Sequence, residues 1–138
     1  MKTIQADSLC IPARNIVPIL NQSMQGNTNV TIQNAVALLA NWNYTELRNM
    51  SAPLIWEMFM ENLTYNIFGD QHIGSKSWAD SELYPFPNTI IPLWNMTQTW
   101  SWNPYAIKLF DDDRTAGIVE TMPQIMNKSL HDALNWII

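Results

Sequence analysis

Charge is scarce in this chain. Asp, Glu, Lys and Arg make up 14% of its 138 residues, against roughly 25% in an ordinary globular protein. The seven basic residues are scattered from Lys2 to Lys128. That excludes the basic stripe on which nucleic-acid binding depends. The net charge is −5. Cysteine is nearly absent: Cys10 stands alone, so neither an internal disulfide nor a cysteine-based metal site can form. Placed between Leu9 and Ile11, it is expected to pack as a small hydrophobe. Only four glycines occur, Gly26, Gly69, Gly74 and Gly117, which points to long elements with few tight turns. Apolar runs such as Ala35 to Ala40 and Ile90 to Trp94 are far shorter than the roughly 20 residues a membrane-spanning helix needs. The opening residues Met1 to Asp7 lack the apolar stretch of a signal peptide. The expectation is a cytoplasmic protein or a piece cut from a longer chain.

Bulky apolar material is abundant. Apolar residues reach 47%, with seven Trp, eight Met, four Phe and four Tyr, enough to fill one core at this length. Polarity is carried by Asn, Gln, Ser and Thr, and part of the aromatic surface is expected to be covered by something else. Asn-x-Ser/Thr sequons occur at Asn21, Asn29, Asn43, Asn49, Asn62, Asn95 and Asn127. The Asn and Ser/Thr content would give about two such acceptor patterns by chance. The excess suggests exposure to a glycosylating compartment or to the cell exterior, and a glycosylated surface needs fewer charges to stay soluble.

The periodicity reads as helix throughout. Asp7 to Met24 carries Leu9, Ile16, Val17, Ile19 and Leu20, with Pro12 near the start and Pro18 bending or breaking the helix. Thr31 is read as the cap of a second helix whose apolar face is Ile32, Val36, Leu39 and Trp42. Ser51 is read as the cap of a third, from about Ala52 to Phe68, with Pro53 in its first turn and Gly69 at its end. Asp70 to Phe86 is expected to be partly irregular, with a helical turn starting at Asp80 or Ser81. Another helix is expected from Thr89 through Gln98, then an aromatic loop over Trp100 to Pro104 and a polar loop over Asp111 to Arg114. Thr121 and Pro123 open the last helix, whose inner face is Ile125, Met126, Leu130, Ala133, Leu134 and Ile137. No alternating strand pattern occurs. The expected class is all-α: one irregular helical domain over 1–138, with four to six helices and loops rich in Pro and Trp.

Candidate chemistry is sparse. Asp111, Asp112 and Asp113 offer clustered carboxylates of the kind calcium takes. No EF-hand spacing follows, and Arg114 offsets the run, so a solvated loop is expected. His72 and His131 have no ligand-spaced companions. Glu57 and Glu61 lie one helical turn apart, where a pair could do acid–base work, but an exposed stripe is the plainer reading. Glu120-Thr121 reads as a helix start. Trp78, Trp94, Trp100 and Trp102 are expected to divide between the core and a face meeting an acyl pocket or another domain. No motif asks for a cofactor or a metal.

Two stretches carry a family resemblance. The first is Ala35-Val36-Ala37-Leu38-Leu39-Ala40-Asn41-Trp42-Asn43-Tyr44, followed by Ser51-Ala52-Pro53-Leu54-Ile55-Trp56-Glu57. The second is Asp111-Asp112-Asp113-Arg114-Thr115, then Glu120-Thr121, then Ser129-Leu130-His131-Asp132-Ala133-Leu134. Ahead of both stand Asp7-Ser8, Ala13-Arg14 and Val17-Pro18-Ile19-Leu20. In this order they resemble the helical part of the penicillin acylase (penicillin amidase) family. Asn43 departs from the Asp that usually follows Trp there, at a position that looks structural.

The resemblance implies a larger N-terminal-nucleophile hydrolase, in which a self-cleaved precursor frees a Ser whose own α-amine acts as base. An α-amine with a reference pKa near 7.7–8.0 can take the hydroxyl proton near neutrality, and an oxyanion hole stabilises the tetrahedral intermediate. In that family the Ser and the oxyanion-hole Asn precede this stretch, so no catalytic residue is assigned here. Ser8, Ser51 and Ser129 are internal. The expected role is a helical accessory domain of a secreted or surface-located amidase acting on a small acyl amide. Its partner would be the catalytic domain, and a fragment on its own could self-associate. The rival reading is a stand-alone helical binding module that uses its Trp-rich surface.

Overall fold

Ile11 begins the first helix one residue after Cys10, and Pro12 sits in its first turn, where a missing N–H costs no hydrogen bond. The structure is a computed structural model that describes residues 9–47, 49–69 and 94–137. Five helices are named among these: α1 (Ile11–Ser23), α2 (Val30–Ala40), α3 (Ser51–Phe68), α4 (Pro104–Phe110) and α5 (Met122–Ile137). A further helical stretch covers 94–99. Among the described residues the only β pairing is an isolated antiparallel bridge between Leu9 and Thr45. Beside it the Cys10 N–H donates to the Tyr44 carbonyl at 2.7 Å. The protein is all-α.

Pro18 neither breaks α1 nor ends it. The helix runs through to Ser23, because Ile16, Val17 and Leu20, all at most 1% exposed, hold its inner face in the core on both sides of the proline. The cap of α2 is Asn29, not Thr31: the Asn29 side-chain oxygen accepts from the N–H groups of Thr31 and Ile32, satisfying two donors that the first turn leaves open. Ile32, Ala35, Val36 and Leu39 are its buried residues, at the spacing of one helical face. Ser51 proves to be the first residue of α3 rather than its cap. Met50 holds the cap position and offers no side-chain hydrogen bond. Gly69 ends α3 as expected, in a right-handed conformation at φ −66°. Glycine is needed there for room: a Cβ would lie 2.5 Å from the Tyr65 carbonyl oxygen.

α4 lies partly in what reads as loop in the sequence. Asn103 caps it by accepting from the Tyr105 N–H, and Pro104 is its first residue. At the start of α5, the Gln124 side chain accepts from both the N–H and the hydroxyl of Thr121, which is the reach-back half of a capping box.

The helices close around one core. α3 and α5 make the most extensive contact, and α1 and α2 pack against this pair and each other. Phe59, Leu63, Ile67, Ile125, Met126 and Leu130 lie at its centre, none more than 1% exposed. Burying each such side chain stabilises the fold by about 1.5–3 kcal/mol. α3 carries ten buried residues in 18, so it is sheathed on most sides and serves as the axis of the assembly. Readings that fall on 70–93, including His72, Asp80, Ser81 and Thr89, lie outside the described residues. So do Asp7 and Ser8.

Candidate functional site

Two polar clusters stand out against this apolar background, and both tie loops or helices to α3. The first lies between α3 and α5. Asn66, 2% exposed, donates through Nδ2 to the Ser129 hydroxyl at 3.0 Å and to Asp132 Oδ2 at 3.3 Å. Its Oδ1 accepts from Lys128 Nζ, which also pairs with Asp132 at 3.1 Å. Ser129 is fully buried and donates to the Ile125 carbonyl at 2.7 Å. Every polar group in the seam thus has a partner, as a buried network requires. The Ser129 proton is committed to that carbonyl, and among the described residues no base accepts it.

The second cluster is the 111–120 loop. Asp112 grips the Arg114 guanidinium with both oxygens, at 2.6 and 2.8 Å. The arginine holds its carboxyl below the usual carboxylate range, and the carboxylate in turn raises the pKa of Arg114. Arg114 lies 5.3 Å over the Tyr65 ring of α3, within cation–π range. Glu120 closes the loop. One of its oxygens accepts from the Thr115 hydroxyl and the other from the Asp112 N–H, while the Glu120 N–H donates to Asp111. The Thr115 hydroxyl is the main reason the Glu120 pKa falls. Asp111 and Asp112 are therefore occupied with loop closure, and the solvated loop expected here is instead partly buried. Among the described residues no three His, Cys, Asp or Glu side chains converge as metal ligands.

The remaining candidates are scattered. Burial, then the charges of Glu46 and Glu61, push up the pKa of Glu57. Burial of the nearby Cys10 pushes its thiol up to about 11. His131 is exposed beside Asn135. Ser51 is exposed at the start of α3. Trp100 packs against the core, Trp94 is on the surface, and Trp102 is 69% exposed; Trp78 lies outside the described residues. Tyr105 and Trp136 are also exposed, at 80% and 76%. Of the sequon asparagines, Asn62 is buried in α3, while Asn21, Asn29, Asn43, Asn49, Asn95 and Asn127 are exposed. Asn66, Tyr65 and Lys128 escape a reading of the sequence, since each meets partners more than 45 residues away. The one signal is Asn62 and Asn66 interrupting the apolar face of α3 four residues apart.

Over residues 1–137 the sequence matches the family described as penicillin amidase. The chain belongs to that family. No curated protein and no solved structure matches it. The stretches that resemble penicillin amidases map onto the scaffold: α2 and its exit, the first turns of α3, the Asp112–Glu120 knot, and the part of α5 that packs on Asn66. In this chain, then, the residues that carry the family resemblance include those that join one helix to another. No described helix is long and apolar enough to cross a membrane.

Proposed function

We propose that this chain is the helical accessory part of a penicillin-acylase-like amidohydrolase, which packs on a catalytic core and borders its substrate entrance. The observation that carries the reading is that the family match spans the chain while its described polar clusters are self-satisfied knots that present no nucleophile–base pair. The parent would hydrolyse an acyl amide, the acyl group passing through a serine ester supplied by the catalytic core. The exposed aromatic residues Trp102, Tyr105 and Trp136 support a docking role, because Trp and Tyr are enriched where protein surfaces meet a partner.

Hydroxyl-radical footprinting tests the docking. Trp102, Tyr105 and Trp136 are expected to be labelled in the isolated chain and protected in the whole enzyme. Equal labelling of all three in both would overturn the accessory role and favour a stand-alone binding module.

A further inference from the structure

The seven sequons fall into two structural classes, and the hydroxyl residue of each separates them. Transfer of a glycan to an Asn side chain needs the amide nitrogen and the neighbouring Ser or Thr to be reachable together, on a surface loop. In four sequons they are not. Ser23 donates its hydroxyl to the Ile19 carbonyl at 2.8 Å, Thr64 to Met60 at 2.8 Å, Thr97 to Trp94 at 2.6 Å and Ser129 to Ile125 at 2.7 Å. All four lie within helical backbone, and Thr64, Thr97 and Ser129 are buried. Asn62 is itself 8% exposed, and its Nδ2 is committed to the Met58 carbonyl at 2.8 Å. A glycan on that nitrogen would have to displace the core.

The other three sequons, Asn29-Val30-Thr31, Asn43-Tyr44-Thr45 and Asn49-Met50-Ser51, lie at helix starts and in the connection between α2 and α3. Asn29, Asn43 and Asn49 are exposed. At two of them the Asn side-chain oxygen accepts from the N–H of its own sequon threonine: Thr31 to Asn29 at 2.9 Å and Thr45 to Asn43 at 3.0 Å. This turn fixes Oδ1 and leaves Nδ2, the atom to be modified, without a partner among the described residues. Thr31, Thr45 and Ser51 have no hydroxyl bonded back into a helix. The same stretch exposes Val30 at 66%, Leu47 at 50% and Leu54 at 52%. Few charges lie between them, so this apolar surface lacks the polar cover that a glycan would supply.

We propose that Asn29, Asn43 and Asn49 carry N-linked glycans and that Asn21, Asn62, Asn95 and Asn127 do not. The donor is an activated glycosyl diphosphate. Its C1–O bond breaks with the electron pair leaving on the diphosphate, Nδ2 forms the new C1–N bond, and one Nδ2 proton is lost. The amide otherwise keeps its composition, and no oxidant or reductant is involved.

The test is tandem mass spectrometry of proteolytic peptides from the protein purified from its native source. Peptides spanning Asn29, Asn43 and Asn49 are expected to carry glycan mass and to release sugar fragment ions. Those spanning Asn62 and Asn127 are expected at their unmodified mass. In a Thr45→Ala variant the Asn43 peptide is expected to lose its glycan while Asn29 keeps its own. Unmodified peptides at Asn29, Asn43 and Asn49, a glycan on Asn62, or retention of the Asn43 glycan in T45A would each overturn the proposal. Its outcome is independent of whether the chain docks on a catalytic core.

Discussion

Truncating Asn66 to Ala is expected to be among the costliest polar changes in this protein. The side chain joins α3 to α5 through Nδ2 contacts to Ser129 and Asp132, and it accepts the Lys128 ammonium through Oδ1. The bond to buried Ser129 is neutral and worth about 1 kcal/mol. The bond from Lys128 would be worth about 1.5–3 kcal/mol if fully enclosed, but the Lys128 side chain is 50% exposed and keeps Asp132 as a partner, so about 1 kcal/mol is the reasonable share. The 3.3 Å contact to Asp132 adds less. With a small void left at a 2% exposed position, the loss comes to about 2–3 kcal/mol. In urea that moves the unfolding midpoint down by about 1 M, for a slope near 2 kcal/mol per M. The mechanism is isolated by a double-mutant cycle with Ser129→Ala, since the two residues share one bond. The cycle should return a coupling of about 1 kcal/mol. Additivity within about 0.3 kcal/mol would show that the bond contributes nothing and that the seam is held by packing alone.

Asp112→Asn should loosen the 111–120 loop by about 1–2 kcal/mol at neutral pH, toward the weak end of charge-assisted bonds because Arg114 is 40% exposed. The folded-state pKa of Asp112 is depressed. Its contribution is therefore fully present above the unfolded carboxylate pKa and lost as pH falls through the folded value, so wild type and D112N should converge in Tm below about pH 4. Glu57→Gln has the opposite sign. The raised folded pKa of Glu57 disfavours the charged native state, so E57Q should raise the urea midpoint slightly at pH 7, with the gain fading as pH falls below the normal range of Glu. Cys10, with its thiol at about 11 rather than 9.0, should hold about a hundredfold less thiolate at pH 8 than an unperturbed thiol. Its rate with a thiolate-specific alkylating agent should fall by a similar factor against a model thiol.

The helices were legible where their signals were local and repeated. The Ile32, Ala35, Val36 and Leu39 spacing of α2 and the inner face of α5 from Ile125 to Leu134 need only the chain within a few turns, whereas Ile137, expected on that face, is exposed at the helix end. Caps were harder, because Asn29 and Thr31 both present a suitable oxygen, and only the backbone shows that Asn29 stands outside the helix at ψ 114°. α4 is not legible because seven residues are too few for periodicity, although Asn103-Pro104 is the sort of pair that opens a helix. The polar seam was invisible for another reason. Asn66 and Ser129 are 63 residues apart, and nothing in either neighbourhood reveals that the two helices meet. Charge alone does not reveal the Asp-rich loop: Asp113 is exposed, yet Asp111 and Asp112 accept bonds that close the loop on itself.

The central proposal is that this chain of the penicillin amidase family supplies scaffold rather than chemistry. It is met most directly by the rate at which the purified 138-residue chain hydrolyses a chromogenic phenylacetyl or fatty-acyl amide. The account expects no hydrolysis above buffer, and no change on replacing Ser51 or Ser129 with Ala. Turnover that either substitution abolishes would contradict it.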